Sequence, residues 1–148
     1  MWKFVKECFW TKLIIHSEDD DFKKSDVQVL HTVIENFEQK YSRFISGNFL
    51  DILNKNKEAL LDKELSSIIK LALKISDITN WYFDISVLPL LENIWYGTGK
   101  TYNNPKIWYK NIELTDTKIF LHNDISIEIG WIGKWYMVDK IYNILNAN

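Results

Sequence analysis

Two stretches of this chain return an apolar residue every three or four positions, and that spacing restricts the fold more than any other feature. Val27, Leu30, Val33, Ile34, Phe37 and Tyr41 share one face of a helix that Ser25 or Asp26 can cap, while Glu35, Glu38 and Lys40 take the polar face. Leu65, Ile68, Ile69, Ala72 and Ile75 make the same stripe in a second helix, capped by Asp62 and ending near Thr79 and Asn80. From Lys134 onward, Val138, Ile141 and Leu145 predict a third. Elsewhere the period changes. "WKFVKECFWTKLIIHS" alternates as a strand pair or one long bent strand, closed by an acidic turn at Ser17 to Asp21. Short β-prone runs follow at Ile107 to Leu114, Lys118 to Leu121 and Ile125 to Ile129. The segment "YSRFISGNFLDILN" reads as a helix exit and a loop, with Gly47 and Asn48 as turn residues. Helices and strands mix without a regular βαβ alternation, so the fold class is α+β, a mixed, largely antiparallel sheet with packed helices. No repeat or linker divides residues 1–148, which predicts a single domain.

The composition excludes several classes of function. At 47% hydrophobic and 26% charged residues, a chain of 148 residues can bury an ordinary core. A net charge of -2, with lysines dispersed along the chain, gives no electrostatic footprint for nucleic acid. Cys8 has no partner for a disulfide or a zinc knuckle. No apolar run is long enough for a membrane span, and "MWKFVKECFW" lacks the apolar centre of a signal peptide, so the chain as given reads as cytoplasmic. Arginine is represented by Arg43 alone, and alanine, proline and glycine are scarce, which points to an AT-rich gene. Such a gene should be poor in tryptophan. Yet the chain holds 7 Trp against 5 Gly, where roughly ten glycines would be ordinary for this length.

Few residues offer chemistry by themselves. His16, His31 and His122 share no ligand spacing, and the run Asp19 to Asp21 reads as a solvated turn. Asp84, set among aromatic and β-branched residues in "ITNWYFDISVLP", must be hydrogen-bonded or paired if it is ionised; it could equally cap a turn. In "ISIEIGWIGKWYMVDK" the turn Gly-Trp-Ile-Gly-Lys lies between a predicted strand and a predicted helix, where backbone N–H groups and the helix dipole can hold a phosphate. It lacks the Walker spacing and the Ser or Thr that follows it.

Taken in order, "CFWTK", "YSRFISGNFLDILN", "ISDITNWYFDISVLPLLENIWYG" and "IEIGWIGKWYMVDKI" resemble the successive signatures of the FAD:protein FMN transferases, the ApbE family. Family members read Met-Gly-Thr, then Phe-Ser-x-Tyr leading to Leu-Asn, then Thr-x-Gly-x-Phe-Asp-x-Thr-Val-x-Pro-Leu, then Asp-Leu-Gly-Gly-Ile-Ala-Lys-Gly-Tyr-Ala-Val-Asp. The resemblance implies an enzyme that takes FAD with Mg²⁺, transfers FMN to a threonine of a target flavoprotein and releases AMP. Carried over position by position, it puts Phe9 and Phe44 on the flavin, makes Tyr82, Phe83 and Asp84 the flavin-binding tripeptide, and gives Glu128 the place of an aspartate. It also directs the backbone carbonyl of Trp131 to Mg²⁺ and makes Lys134 the cofactor-side residue that opens the last helix. Ordinary core packing is the alternative for each aromatic residue.

The departures from the pattern bear on the tryptophan excess. Trp10, Trp81, Trp131 and Trp135 stand where the family has glycine, and Trp95 and Trp108 are similar cases. One reading accounts for all of them: UGA codons, rendered here as Trp but translated as glycine in the source organism. Glycine would suit these places by permitting φ > 0 and close approach of backbone to ligand. The family also continues for roughly as many residues again, with the remaining metal ligands. The resemblance therefore implies a partial C-terminus, doubtful activity of this stretch alone, and a compartment that an upstream lipoprotein signal could change. A non-catalytic flavin-binding or interaction module, or a structural domain with genuine core tryptophans, are the alternatives.

Overall fold

The structure, a computed structural model, describes residues 2–9, 11–18, 23–94, 96 and 98–146. Trp10, Asp19 to Asp21 and Trp95, singled out by the sequence, lie outside the described residues. Strands β1 (Trp2–Cys8) and β2 (Thr11–Ser17) form an antiparallel hairpin in which Cys8 pairs with Thr11. Phe9 follows β1 in the turn. Phe9 takes φ +51°, the left-handed backbone that primed two-residue turns require. Its N–H donates to Glu38 Oε1 at 2.9 Å, tying the turn to the next helix.

Helix α1 (Lys24–Tyr41) starts ahead of the predicted caps Ser25 and Asp26, with Lys23 at its N-cap position. Asp26 instead accepts the Lys23 N–H at 2.9 Å, the return half of a capping box. Leu30, Ile34, Phe37 and Tyr41 are buried, as their spacing predicts. The stretch read as a loop then corrects the sequence reading, because Phe49–Asn56 is helix α2. Asn48 caps it by accepting the Asp51 N–H at 2.9 Å, and Leu50 and Leu53 drive its burial. Gly47, at φ +78°, makes the turn into it.

Helix α3 (Lys63–Ile78) begins at the predicted cap, with Asp62 accepting the Leu65 N–H at 2.7 Å. It ends in a Schellman motif: the Asn80 N–H donates to Asp77 O and the Trp81 N–H to Ser76 O, at 3.2 and 2.8 Å. Asn80 and Trp81 are both left-handed, at φ +54° and +64°. Asparagine tolerates that conformation; tryptophan does not. Trp81 is 60% exposed and, among the described residues, stacks on the exposed Tyr82. Replacing it by glycine should therefore raise stability, by about 1 kcal/mol in urea denaturation. A loss of stability would show that the stack outweighs the strain.

A short helix α4 (Leu88–Asn93) follows, with Pro89 in its first turn. Strands β3 (Glu58–Leu60), β4 (Ile112–Leu114) and β5 (Lys118–Leu121) form an antiparallel sheet in the order β3-β5-β4. The described strands thus make two small antiparallel sheets packed with helices, in keeping with the α+β class that the sequence predicts. The predicted run from Ile107 yields strand only at 112–114, because Tyr109–Asn111 coil into a 3₁₀ turn.

Residues 125–129 are buried throughout but make no ladder, only a single parallel bridge between Ser126 and Val87. Side chains replace the missing strand neighbours. Asn54 accepts the Ile127 N–H at 2.7 Å and donates to Ile127 O at 2.9 Å, Lys57 donates to Ile125 O at 2.8 Å, and the Glu128 N–H reaches Ile85 O at 2.7 Å. These bonds satisfy a backbone that burial would otherwise penalise.

Helix α5 (Gly130–Asn146) starts before Lys134, so the Gly-Trp-Ile-Gly-Lys stretch is its first turn and not a loop. Its buried face is Ile132, Gly133, Met137 and Ile141, whereas the predicted Val138 is 44% exposed. Gly133 lies close against Phe37: a Cβ there would come within 3.1 Å of the ring, which would have to give by a few tenths of an ångström. Trp131 and Trp135 take no positive φ, so the expectation that these places call for glycine's φ > 0 is corrected. Helical backbone needs no glycine. No described helix is long and apolar enough to cross a membrane.

Candidate functional site

A cleft of about 530 Å³ opens where the hairpin turn, the end of α1 and the start of α5 converge. Phe37 is its floor. That ring meets Phe9 edge-on at 5.6 Å, Tyr41 at 4.8 Å and Tyr136 at 5.9 Å, so residues from the hairpin turn, α1 and α5 share one aromatic cluster. Five of the residues carried over from the resemblance line the cleft: Phe9, Phe44, Glu128, Trp131 and Lys134. They come from segments far apart in the chain. Tyr41, Ser42, Arg43, Tyr96, Ile129 and Gly130 complete its wall.

Tyr82, Phe83 and Asp84 are not among its lining residues. Tyr82 is 88% exposed. Asp84 is engaged locally: Oδ1 accepts the Ser86 N–H and hydroxyl, both at 2.7 Å, and Oδ2 accepts the Tyr109 N–H at 3.0 Å. The Ser86 hydroxyl oxygen accepts the Trp108 N–H at 2.8 Å, and the Tyr109 hydroxyl donates to Asp77 at 2.7 Å. Asp84 thus fastens the segment after α3 to the segment before β4.

Glu128 is the buried charge of the cleft. Its Oε1 accepts the Gly130 N–H at 2.5 Å, and a Cβ on Gly130 would collide with this carboxylate. Burial pushes its pKa up; the Gly130 N–H and the positive fields of Arg43 and Lys134 offset part of that rise. The folded state therefore binds this proton more tightly than the unfolded chain does, so stability from this group is full below the unfolded carboxylate range. It is lost as pH rises through that range to the folded pKa. Glu128→Gln keeps the acceptor oxygen and removes the charge. It should raise the melting temperature at neutral pH, with the gain vanishing below about pH 4.3; equal melting at all pH values would mean that the burial is not felt.

Lys134 Nζ stands 5.3 Å over the Trp131 ring, placing a cation at the mouth. Beneath the cleft a polar network ties α1, α3 and α5 together. Asp62 takes Lys40 and the Tyr41 hydroxyl, and Glu64 takes Lys140 and the Tyr136 hydroxyl. Burial and the Asp62 charge push the Tyr41 phenol far up, so it stays a neutral donor. The sequence reading missed Arg43 and Tyr96 as cleft residues. A lone arginine beside a flavin-side aromatic position was the signal for the first.

A family model for ApbE matches residues 11–148. No curated protein matches the chain significantly. Among solved structures, the ApbE protein from Thermotoga maritima is similar with a TM-score of 0.79 at 21% identity, over 97% of this chain and 52% of that one. The flavin transferase ApbE from Vibrio cholerae is similar at 0.81 and 14%, over 99% and 53%. The apo flavinyl transferase ApbE from Pseudomonas stutzeri is similar at 0.84 and 13%, over 99% and 55%. The chain spans about half the length of these structures. At such identities they speak for the fold, and the family match supplies the relationship: this chain belongs to the ApbE family.

Proposed function

We propose that the chain serves a FAD:protein FMN transferase, taking FAD as substrate in the aromatic cleft. The observation that carries this reading is the meeting of Phe9, Phe44, Glu128, Trp131 and Lys134 on one cleft, from motifs otherwise separated along the chain. Aromatic walls suit the isoalloxazine ring, and the cations Arg43 and Lys134 suit its phosphates. In the reaction a threonine hydroxyl of a target flavoprotein attacks the phosphorus of the FMN half. The P–O bond to the AMP half breaks, AMP leaves with the electron pair, and the hydroxyl proton is released. Positioning of the two reactants supplies much of the rate.

Mg²⁺, which the resemblance implies, does not fit the described residues taken alone. They hold no group of three or more His, Cys, Asp or Glu side chains able to ligate it. The Trp131 carbonyl lies within helix α5, where the amide four residues on is its ordinary partner. A second reading is a flavin-binding module without transfer. Incubation with FAD and a threonine-bearing flavoprotein separates the two. AMP release with covalent flavin fluorescence on the acceptor supports transfer, FAD binding without AMP supports the module, and no FAD binding refutes both.

A further inference from the structure

We propose that Arg43 is the anion-contacting residue of this site, clamped at the wall between two clefts with Nη1 directed to a phosphate oxygen of the ligand. Phe44 and Tyr96 cover its guanidinium, their ring centroids 4.7 and 4.8 Å from Cζ. Such stacking fixes the plane of the fork. Nη1 is buried and finds no hydrogen-bond acceptor among the described residues, which is costly for a charged donor unless a ligand or solvent oxygen meets it.

Arg43 lines a second, polar cleft of about 410 Å³ as well as the aromatic one. The acceptors of that second cleft are already engaged. Asp51 takes Lys55 at 2.6 Å and the Gly47 N–H at 2.7 Å, Glu92 takes the Thr98 N–H at 2.7 Å, and Asn54 is bonded to the Ile127 backbone. The protein therefore holds a rigid guanidinium between an aromatic compartment and a polar one, with a donor uncommitted. That arrangement fits a ligand with a planar ring on one side, a phosphate at the wall and further polar groups beyond it. The proposal rests on the flavin reading only for the identity of the ring.

Binding of riboflavin, FMN and FAD, followed by flavin fluorescence, and of inorganic pyrophosphate, followed by calorimetry, tests it on the 148-residue chain and its Arg43→Gln and Arg43→Lys variants. Arg43→Gln should weaken FMN and FAD at least about tenfold, as loss of a charge-assisted hydrogen bond implies, and leave riboflavin within about twofold. Arg43→Lys should recover part of the loss, and it replaces Arg43→Gln if that variant fails to fold. Unchanged FAD affinity, or equal loss for all three flavins, would overturn the role of Arg43 while leaving the flavin reading intact. Arg43-dependent binding of pyrophosphate with no flavin binding would keep Arg43 as an anion contact and defeat the flavin reading. Binding of none of the four probes by the unsubstituted chain would defeat both.

Discussion

Phe37→Ala is expected to cost about 3–5 kcal/mol, the usual range for deleting a buried aromatic ring. Phe37 is 4% exposed and touches the rings of Phe9, Tyr41 and Tyr136. Those contacts hold the hairpin, α1 and α5 around one point, so the neighbours cannot collapse into the gap without moving the cleft walls. A domain of this size has only about 5–15 kcal/mol in total. Urea denaturation should show a much lower midpoint with a similar slope. Loss below about 1 kcal/mol would mean that the cluster repacks and is not the floor of the cleft.

Asp84→Ala should cost about 3 kcal/mol, because three donors lose a carboxylate at once and the Tyr109 N–H is left without its partner. Asp84→Asn retains an acceptor oxygen and should lose about half as much. This differs from the role that the resemblance implies. A flavin-binding Asp84 would show its effect in FAD affinity; a fastening Asp84 shows it in the denaturation curve, with affinity of the folded fraction nearly unchanged. Stability that survives the alanine substitution alongside lost FAD binding would reverse the assignment.

The parts of the fold legible in the sequence are those where one period ran long enough to speak for itself. Helices α1 and α3 declared their buried faces, and Asp62 its cap, because the core covers one stripe of each. Helix α2 was hidden by its shortness and by Gly47-Asn48, a pair that reads as a turn although Asn48 also caps a helix. The run Ile125 to Ile129 reads as a strand since isoleucine alternates with Ser126 and Glu128. Periodicity cannot reveal that Asn54 and Lys57 side chains replace a neighbouring strand. In α5 the glycines concealed the helix start, since the constraint on Gly133 is contact with Phe37 and not backbone freedom.

The candidate site divides along similar lines. Motif order brought Phe9, Phe44, Glu128, Trp131 and Lys134 into view together, and the fold gathers them. Arg43 escaped because its significance is a sandwich with Tyr96, a residue far along the chain. Of the four tryptophans set where the family has glycine, Trp10 lies outside the described residues and Trp131 and Trp135 sit on ordinary helix. Among the described ones, Trp81 alone occupies a backbone that glycine would relieve.

The central claim, that flavin occupies the aromatic cleft, is tested most directly by FAD titration of the unsubstituted chain beside Phe44→Ala and Tyr82→Ala, with flavin fluorescence as the readout. Phe44 lines the cleft, whereas Tyr82 is 88% exposed outside it. Loss of a stacking ring should weaken FAD by about tenfold for Phe44→Ala, and Tyr82→Ala should stay within about twofold. Weakening by Tyr82→Ala with none from Phe44→Ala would place the flavin elsewhere and contradict the account.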